Sequence, residues 1–212
     1  MDRAIIFLNG NLKGDNSFYK DYINQSDYLV AVDGGAEHLF ALGLAPELII
    51  GDLDSISKKT QLYYKNLGVK LEKFPVEKDK TDGELILNKL VNKDFVEIII
   101  FSALGGRVDH QLANIFLLSK FKDVKSDLKI VTPQETIQVI TESKKIYKEK
   151  NKIISLLSLS QKTTGVNLSG FKYNTKDVII NQGSSLGISN QIKADEARIE
   201  IDSGELLLII NH

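Results

Sequence analysis

Apolar residues in the first 133 positions fall into short Ile- and Val-rich runs, and most of these runs are followed by a stretch of helical spacing. The runs at 47–50 and 96–101 are almost wholly apolar, which is typical of strands buried on both faces of a sheet. In the stretches between the runs, apolar residues recur three or four positions apart, as in the helices of βαβ units. The pattern therefore predicts a parallel sheet covered by helices on both faces, with strands at 4–10, 28–35, 47–52, 69–75, 96–103 and 128–133.

The pattern changes after Pro133, where short β-prone segments follow one another between Gly, Asn, Ser and Asp residues. None of these segments has strong helical spacing, so the sequence predicts antiparallel strands here. The predicted fold class is α/β, with a three-layer parallel-sheet domain at residues 1–133 followed by an antiparallel β domain at residues 134–212.

Composition and charge limit the kinds of partner that we expect. The 212 residues are 42% hydrophobic, which is enough for a packed core, and 27 basic against 28 acidic residues give a net charge of −1. A balanced charge gives no general attraction to nucleic acid or to anionic membranes, so neither is predicted as a partner. The sequence has no cysteine, and its amino-terminal apolar run of five residues is too short for a signal peptide, so we predict a cytoplasmic protein.

Acidic residues and glycines follow four of the predicted strands. Because the carboxyl ends of parallel strands meet at one edge of a sheet, these residues are expected to lie close together, and ligands of such sheets bind at that edge. The segments are Asp33-Gly34-Gly35, Asp52-Leu53-Asp54-Ser55, Asp79-Lys80-Thr81-Asp82-Gly83 and Gly105-Gly106-Arg107-Val108-Asp109-His110.

The clustered aspartates predict a divalent cation. Two carboxylates about 4 Å apart repel by roughly 4 kcal/mol at an effective dielectric of about 20, so the cluster needs a positive partner. Oxygen ligands without cysteine favour Mg²⁺ shared with phosphate oxygens, and Arg107 is suited to stabilise charge that develops during transfer. One aspartate after a strand is more often a helix cap, but two of these loops carry two aspartates each.

Several motifs are absent, and two other classes of function stay open at this point. The sequence contains no GxxxxGK[ST], no GxGxxG after the first strand and no GxSxG, so P-loop, dinucleotide-binding and acyl-enzyme chemistry lack their usual motifs. One alternative is another Mg²⁺-dependent enzyme, a phosphohydrolase or nucleotide transferase that uses the Asp52 and Asp54 pair. The other is a non-catalytic regulator that binds a nucleotide.

Six motifs, in order along nearly the whole chain, resemble those of the thiamine pyrophosphokinase family. They are DGG at 33–35, GDLDS at 51–55, DKTD at 79–82, SALGGRVDHQLAN at 102–114, GFKYN at 170–174 and GISN at 187–190. Two positions depart from the family pattern, because Ser102 stands where a glycine is often found and Tyr173 stands where many relatives have a tryptophan.

The resemblance implies a fold, a reaction and a set of site residues, and it makes thiamine a second candidate ligand for the non-catalytic regulator. It implies a C-terminal antiparallel β-sandwich, a homodimer with active sites at the subunit interface, and transfer of the diphosphoryl group of ATP to the thiamine hydroxyl, giving thiamine diphosphate and AMP. By this resemblance Mg²⁺ is bound by Asp52, Asp54, Asp79 and Asp82, and these acids form the catalytic site with Arg107 and Asp109. The remaining ATP contacts are expected from Asp33, Gly34, Gly35, Lys80, Thr81, Gly105, Gly106 and His110. Thiamine is expected to contact Gln111, Asn114, Tyr173, Ser189 and Asn190.

Overall fold

The computed structural model describes residues 2–73 and 79–212. The chain divides into two compact units. The first unit consists of Met1–Leu117 and Asp123–Pro133, and the second unit consists of Leu118–Lys122 and Gln134–His212.

The first unit alternates strands and helices as the sequence pattern predicts. Its strands are β1 (Arg3–Phe7), β2 (Tyr28–Val32), β3 (Leu48–Gly51), β4 (Lys70–Lys73), β5 (Glu97–Phe101) and β6 (Asp127–Val131). Its helices are α1 (Asn16–Tyr22), α2 (Gly35–Leu42), α3 (Lys58–Asn66), α4 (Asp82–Leu90) and α5 (Val108–Lys120), the end of α5 belonging to the second unit. No helix among the described residues is long and apolar enough to cross a membrane. The last two positions of the strand predicted at 69–75 lie outside the described residues.

The strands of the first unit form a parallel sheet in the order β6-β5-β1-β2-β3-β4. The predicted parallel α/β fold is therefore confirmed. All four residues of β3 are buried, and so are the last four residues of β1, β2 and β5, because helices cover this sheet. The aromatic rings of Phe7, Tyr19 and Phe101 pack against one another in the core, with ring centroids 5.1 to 6.1 Å apart.

Capping side chains at the ends of three loops start the helices that follow. Asp15 caps α1, Ser57 caps α3 and Thr81 caps α4, each by accepting a hydrogen bond from a backbone N–H of the first helical turn. Gly43 ends α2 in the left-handed region, at φ +72°, where glycine is favoured. These local signals fix where α1, α3 and α4 begin and where α2 ends.

The second unit consists of antiparallel strands in two sheets. Its strands are β7 (Glu135–Ile140), β8 (Lys144–Tyr147), β9 (Ile153–Ser158), β10 (Lys162–Ser169), β11 (Thr175–Asn181), β12 (Asn190–Gln191), β13 (Glu196–Glu200) and β14 (Leu206–Asn211). Within this unit one sheet has the order β12-β9-β14-β7 and the other has the order β11-β10-β13-β8. Buried residues from both sheets, such as Leu156 of β9 and Ile199 of β13, form one core, so the unit is the predicted β-sandwich.

Candidate active site

A cavity of about 410 Å³ lies in the first unit, at the carboxyl ends of its parallel strands. Its walls come from the segments that follow β1, β2 and β5 and from the start of α4. It therefore lies where ligands of open parallel sheets bind. The predicted site residues in its lining are Asp33, Thr81, Asp82, Gly106, Arg107, His110, Gln111 and Asn114.

The loop after β3 presents two aspartates because the residue between them is buried. Leu53 adopts φ +66° and is only 5% exposed, in the apolar core of the first unit. Asp54 is exposed, and its backbone N–H donates to Oδ1 of Asp52 over 3.1 Å. The apolar strand thus ends with one leucine anchored in the core and a carboxylate on each side of it.

The carboxylates of this loop repel one another. A hydrogen bond to Asp52, together with repulsion from Asp52 and Asp82, raises the pKa of Asp54 above its ordinary value. Asp82 is therefore close enough to act on Asp54 electrostatically, although it belongs to α4. Within residues 2–73 and 79–212, no three acidic or histidine side chains meet in an arrangement that would hold a metal ion. Of the four predicted metal ligands, Asp54 is affected by the charges of Asp52 and Asp82, whereas Asp79 is an exposed residue just before α4.

Asp33 connects the loop after β2 with the loop after β3. It adopts φ +48°, lines the cavity, and accepts a hydrogen bond from the backbone N–H of Leu53 over 3.4 Å. Gly51 makes this contact possible, because a Cβ at that position would lie 1.7 Å from Oδ1 of Asp33. Asp33 thus has a positioning role that its place in the sequence does not reveal.

Close packing requires glycine at positions 34 and 35. A Cβ at Gly34 would lie 1.9 Å from Oδ1 of Asn9, and a Cβ at Gly35 would lie 2.0 Å from the carbonyl oxygen of Phe7. The two glycines let the start of α2 approach the end of β1, and contact of either glycine with phosphate stays a prediction. Asn9, which lines the cavity, was missed by the sequence reasoning, and its only signal was its place after a strand.

His38 is a second residue that sequence reasoning left out of the site. Its Nε2 donates to the carbonyl oxygen of Gly10, a cavity residue, over 2.7 Å. Burial lowers the pKa of His38, so the neutral ring is favoured. The half-buried side chain therefore connects α2 to the loop after β1.

Arg107 and Asp109 form an ion pair at the rim of the cavity. Nε of Arg107 donates to Oδ1 of Asp109 over 3.1 Å, and a terminal nitrogen donates to Oδ2 over 2.5 Å. Arg107 lowers the pKa of Asp109 by hydrogen bonding to its charged form. The backbone N–H of His110 also donates to Asp109, over 3.0 Å. Both side chains of the pair are exposed, so they are accessible to a ligand.

The amides of Gln111 and Asn114 hold the loop after β5. Nε2 of Gln111 donates to the carbonyl oxygen of Gly106 over 2.9 Å, and Nδ2 of Asn114 donates to that of Ala103 over 2.8 Å. Both residues were predicted to contact thiamine. Here their amide nitrogens donate to backbone, and both residues also line the cavity.

Lys80 and Thr81 lie at the start of α4. The hydroxyl of Thr81 accepts from the N–H of Glu84 over 3.3 Å as the helix cap, and Thr81 is also a residue of the cavity lining. Nζ of Lys80 lies 3.9 Å from a carboxylate oxygen of Glu84. Of these two predicted ATP contacts, only Thr81 belongs to the cavity lining.

In the second unit, Asn190 holds Tyr173 in place. The Asn190 side chain is buried, accepts from the backbone N–H of Tyr173 over 3.1 Å and donates to its carbonyl oxygen over 2.7 Å. The Tyr173 ring is 59% exposed, and the ammonium of Lys172 lies 5.0 Å from the ring centroid. Asn190 of the GISN motif thus connects to Tyr173 of the GFKYN motif. The exposed Tyr173 ring has the Lys172 ammonium over its face, as in a cation–π contact.

The GISN turn packs against β9. A Cβ at Gly187 would lie 2.3 Å from the carbonyl oxygen of Leu156, so only glycine fits there. Ser189 is exposed and adopts φ +57°, and its backbone N–H donates to the hydroxyl oxygen of Ser155 over 3.2 Å. The Ser189 side chain is therefore displayed beside the Tyr173 turn by a backbone that is fixed on both sides.

Ser102, one of the two departures from the family pattern, is strained. It adopts φ +54°, is only 4% exposed, and its hydroxyl has no hydrogen-bond partner in the described part of the chain. We expect Ser102→Gly to raise the free energy of unfolding by about 1 kcal/mol or more, because it relieves both the left-handed strain and the unpaired hydroxyl. Urea unfolding measures this. Ser102→Ala, which removes only the hydroxyl, should gain less, and a loss of stability in the glycine variant would contradict the assignment.

Comparison with known proteins matches both units to one family. Residues 19–132 match the model described as thiamin pyrophosphokinase, catalytic domain, and residues 136–206 match the model described as thiamin pyrophosphokinase, vitamin B1 binding domain.

Individual relatives extend this similarity along the chain. A thiamine pyrophosphokinase of Bacillus subtilis is 33% identical over 192 residues, which cover 89% of each chain. Thiamine pyrophosphokinase 1 of Oryza sativa is 26% identical over 202 residues, covering 82% of this chain and 75% of the relative. The crystal structure of thiamin pyrophosphokinase from Geobacillus thermodenitrificans superposes with a TM-score of 0.87 at 29% identity, covering 99% of this chain and 97% of that one. Since the domain models match in order and together cover most of its length, the chain belongs to the thiamine pyrophosphokinase family.

Proposed function

We propose that this enzyme binds Mg²⁺–ATP in the cavity of the first unit and transfers the β,γ-diphosphoryl group to the hydroxyl of thiamine. The reaction is that of its family, and its products are thiamine diphosphate and AMP. The observation that carries the proposed location is the cavity itself, where Asp33, Asp82 and Arg107 converge at the carboxyl ends of the strands. Phosphoryl transfer requires mainly positioning and charge stabilisation, and these residue types supply both.

The acidic loop after β3 offers two neighbouring carboxylates, and Mg²⁺ is commonly bound by one or two carboxylates together with phosphate oxygens and water. The raised pKa of Asp54 reports unfavourable negative charge around Asp52, Asp54 and Asp82, and a cation at these carboxylates would relieve it. All three are oxygen donors of the kind that Mg²⁺ prefers. We propose that these acids hold Mg²⁺ with the phosphates of ATP, and that Asp79 joins them when the ligand is bound. When bound, the ion would neutralise phosphate charge and orient the reacting groups.

The residues of the chain have separate roles in the proposed reaction. The thiamine oxygen forms a bond to the β-phosphorus, the bond from this phosphorus to the bridging oxygen of the α-phosphate breaks, and AMP leaves. Arg107 would exchange part of its pairing with Asp109 for the transferred phosphoryl oxygens, because both side chains are exposed at the rim. The proton of the thiamine hydroxyl passes to a carboxylate or to water.

Thiamine is a cation, and the features of the second unit suit a cationic ring. The exposed Tyr173 ring can contribute about 0.5–2 kcal/mol by cation–π contact, and the contact with Lys172 shows that a positive group fits at its face. We propose that Tyr173 and Ser189 contact thiamine and that Asn190 positions Tyr173. Gln111 and Asn114 remain candidate thiamine contacts from the first unit.

The assembly and location are also proposals. By the family resemblance we propose a homodimer with active sites at the subunit interface, which sedimentation measures directly. The absence of cysteine agrees with a cytoplasmic protein, because a reducing compartment permits no disulfides.

The reaction is tested by mixing the protein with Mg²⁺, ATP and thiamine and separating the nucleotides. AMP and thiamine diphosphate should form in equal amounts, and EDTA should stop their formation. ADP or free phosphate as the product would instead support a different Mg²⁺-dependent enzyme. Tight binding of both ligands without turnover would support a regulator.

Tyr173→Ala should weaken thiamine binding while leaving ATP binding unchanged. Losing the ring removes a contact of about 0.5–2 kcal/mol, which corresponds to a two- to thirtyfold rise in KM for thiamine. The steady-state KM values of both substrates measure this. Tyr147→Ala is a suitable control, because Tyr147 is also a half-exposed tyrosine of the second unit. Equal losses for thiamine and ATP would exclude the role proposed for Tyr173.

A further inference from the structure

Lys13 lies beside the loop that carries Arg107, although no sequence motif includes it. A Cβ placed at Gly105 would stand 2.8 Å from Cε of Lys13, so the lysine side chain rests directly against this glycine. Gly105 adopts φ +80° and lies between Leu104 and Gly106, which both line the cavity. The stem of Lys13 therefore packs against the loop that follows β5, beside two residues that line the cavity.

The backbone around Lys13 is fixed relative to that loop. The N–H of Gly10 donates to the carbonyl oxygen of Ser102 over 2.9 Å. The N–H of Asn11 donates to two carbonyl oxygens, that of Leu104 over 3.2 Å and that of Gly105 over 3.3 Å. The carbonyl oxygen of Lys13 accepts from the hydroxyl of Tyr19 over 2.7 Å. Tyr19 is 2% exposed, so this anchor comes from the core. The contact between Lys13 and Gly105 is therefore part of the architecture of the two loops.

The charges near the cavity leave Lys13 available for an anion. Arg107 is paired with Asp109, and Lys80 lies near Glu84. Lys13 is exposed, and its ammonium group has no acidic partner within 4.0 Å among residues 2–73 and 79–212. The phosphates of ATP are negatively charged, and Asp33 and Asp82 add further negative charge to the cavity lining. Binding these phosphates therefore needs more positive charge than Arg107 alone, whose charge is already neutralised by Asp109.

We propose that Lys13 is a phosphate-binding residue, whose ammonium group contacts the phosphate tail of the nucleotide at the Gly105 side of the cavity. This assignment rests on the proposed function, because it takes the cavity as the nucleotide site. Lys13 acts as a flexible point charge that can follow the phosphates during transfer, whereas Arg107 offers a planar, bidentate fork.

The test compares nucleotide binding by the wild type, Lys13→Ala and Lys13→Arg, measured calorimetrically with Mg²⁺–ATP and with adenosine in the absence of thiamine. We expect Lys13→Ala to raise the Kd for Mg²⁺–ATP about ten- to a hundredfold, as for loss of one charge-assisted hydrogen bond, and to leave adenosine binding unchanged. Lys13→Arg should retain most of the affinity. Lys20→Ala, which removes another exposed lysine of the same region, should match the wild type.

The outcomes separate this inference from the proposed function. Unchanged Mg²⁺–ATP affinity in Lys13→Ala would overturn the inference, and an equal loss for adenosine would show that Lys13 only supports the loop. If the wild type binds Mg²⁺–ATP but forms no AMP from thiamine, the proposed function fails while the assignment of Lys13 is still decided by the binding data. If the wild type binds no nucleotide, both fail. Equal melting temperatures of the variants confirm that they are folded.

Discussion

Asp54→Asn should lower kcat by at least about a hundredfold while the protein stays folded, because the substitution removes a proposed Mg²⁺ ligand. The structure also explains why the variant should stay folded. Asp54 is exposed, and its pKa is raised by the hydrogen bond and repulsion from Asp52, so its charge is unfavourable in the folded protein. Asparagine keeps the shape of the side chain without that charge. The melting temperature without metal should therefore equal or exceed that of the wild type.

The pH dependence of stability follows from the direction of this shift. A carboxyl whose pKa is raised on folding favours the folded state while it is protonated, and this contribution is lost as the pH rises through the raised pKa. The melting temperature of Asp54→Asn should therefore increasingly exceed that of the wild type as the pH rises through this pKa. In acid the two melting temperatures should be equal. Thermal scans from acid to neutral pH measure the difference.

Metal binding and a control variant complete the experiment. Mg²⁺ should raise the melting temperature of the wild type, since a ligand of the folded state stabilises it, but should have little effect on Asp54→Asn. Asp94→Asn removes another exposed aspartate, which precedes β5 and so lies toward the opposite end of the strands, and it should behave as the wild type. A collapse of folding in Asp54→Asn would mean that this acid has a structural role and would contradict its assignment to the metal.

Arg107→Ala should lower kcat by about a hundred- to a thousandfold, because removing one preorganised donor to developing charge has an effect of this size. Arg107 is paired with Asp109, so the substitution also removes the cation that neutralises this carboxylate at the rim. The pKa of Asp109, which Arg107 lowers, should return toward its ordinary value in the variant. Steady-state kinetics measure the loss, and the KM for thiamine should change less than kcat.

A closely matched control exists for Arg107. Arg198 is also exposed and also binds a carboxylate two residues away, that of Glu196, over 2.5 Å. Arg198 belongs to β13 of the second unit, and no role in either substrate site is proposed for it. Arg198→Ala should therefore leave kcat unchanged. Similar losses in both variants would show that the effect comes from breaking a surface ion pair, and Arg107 would then have no special part in transfer.

The amino-acid sequence by itself determined the order and type of the elements in both units. The spacing of apolar residues along the chain was sufficient for this. A continuous apolar run such as Ile98–Phe101 is typical of a strand in a parallel sheet that helices cover on both faces, and all four of these residues are buried. Strand ends also located the acidic loops, since the topology of a parallel sheet places every carboxyl end at one edge. Ser102 could be noticed as unusual from the sequence, but its positive φ and its unpaired hydroxyl required the structure.

Only the tertiary structure decided which side chains meet across different loops. Asn190 binding the backbone of Tyr173, Asp33 reaching Leu53 and Lys13 resting on Gly105 each join positions at least 17 residues apart. Such contacts depend on how separate elements pack, and periodicity along the chain carries no information about them. The same reason explains why Asn9, His38 and Lys13 escaped the sequence reasoning: each belongs to the site through the neighbour that it touches in space.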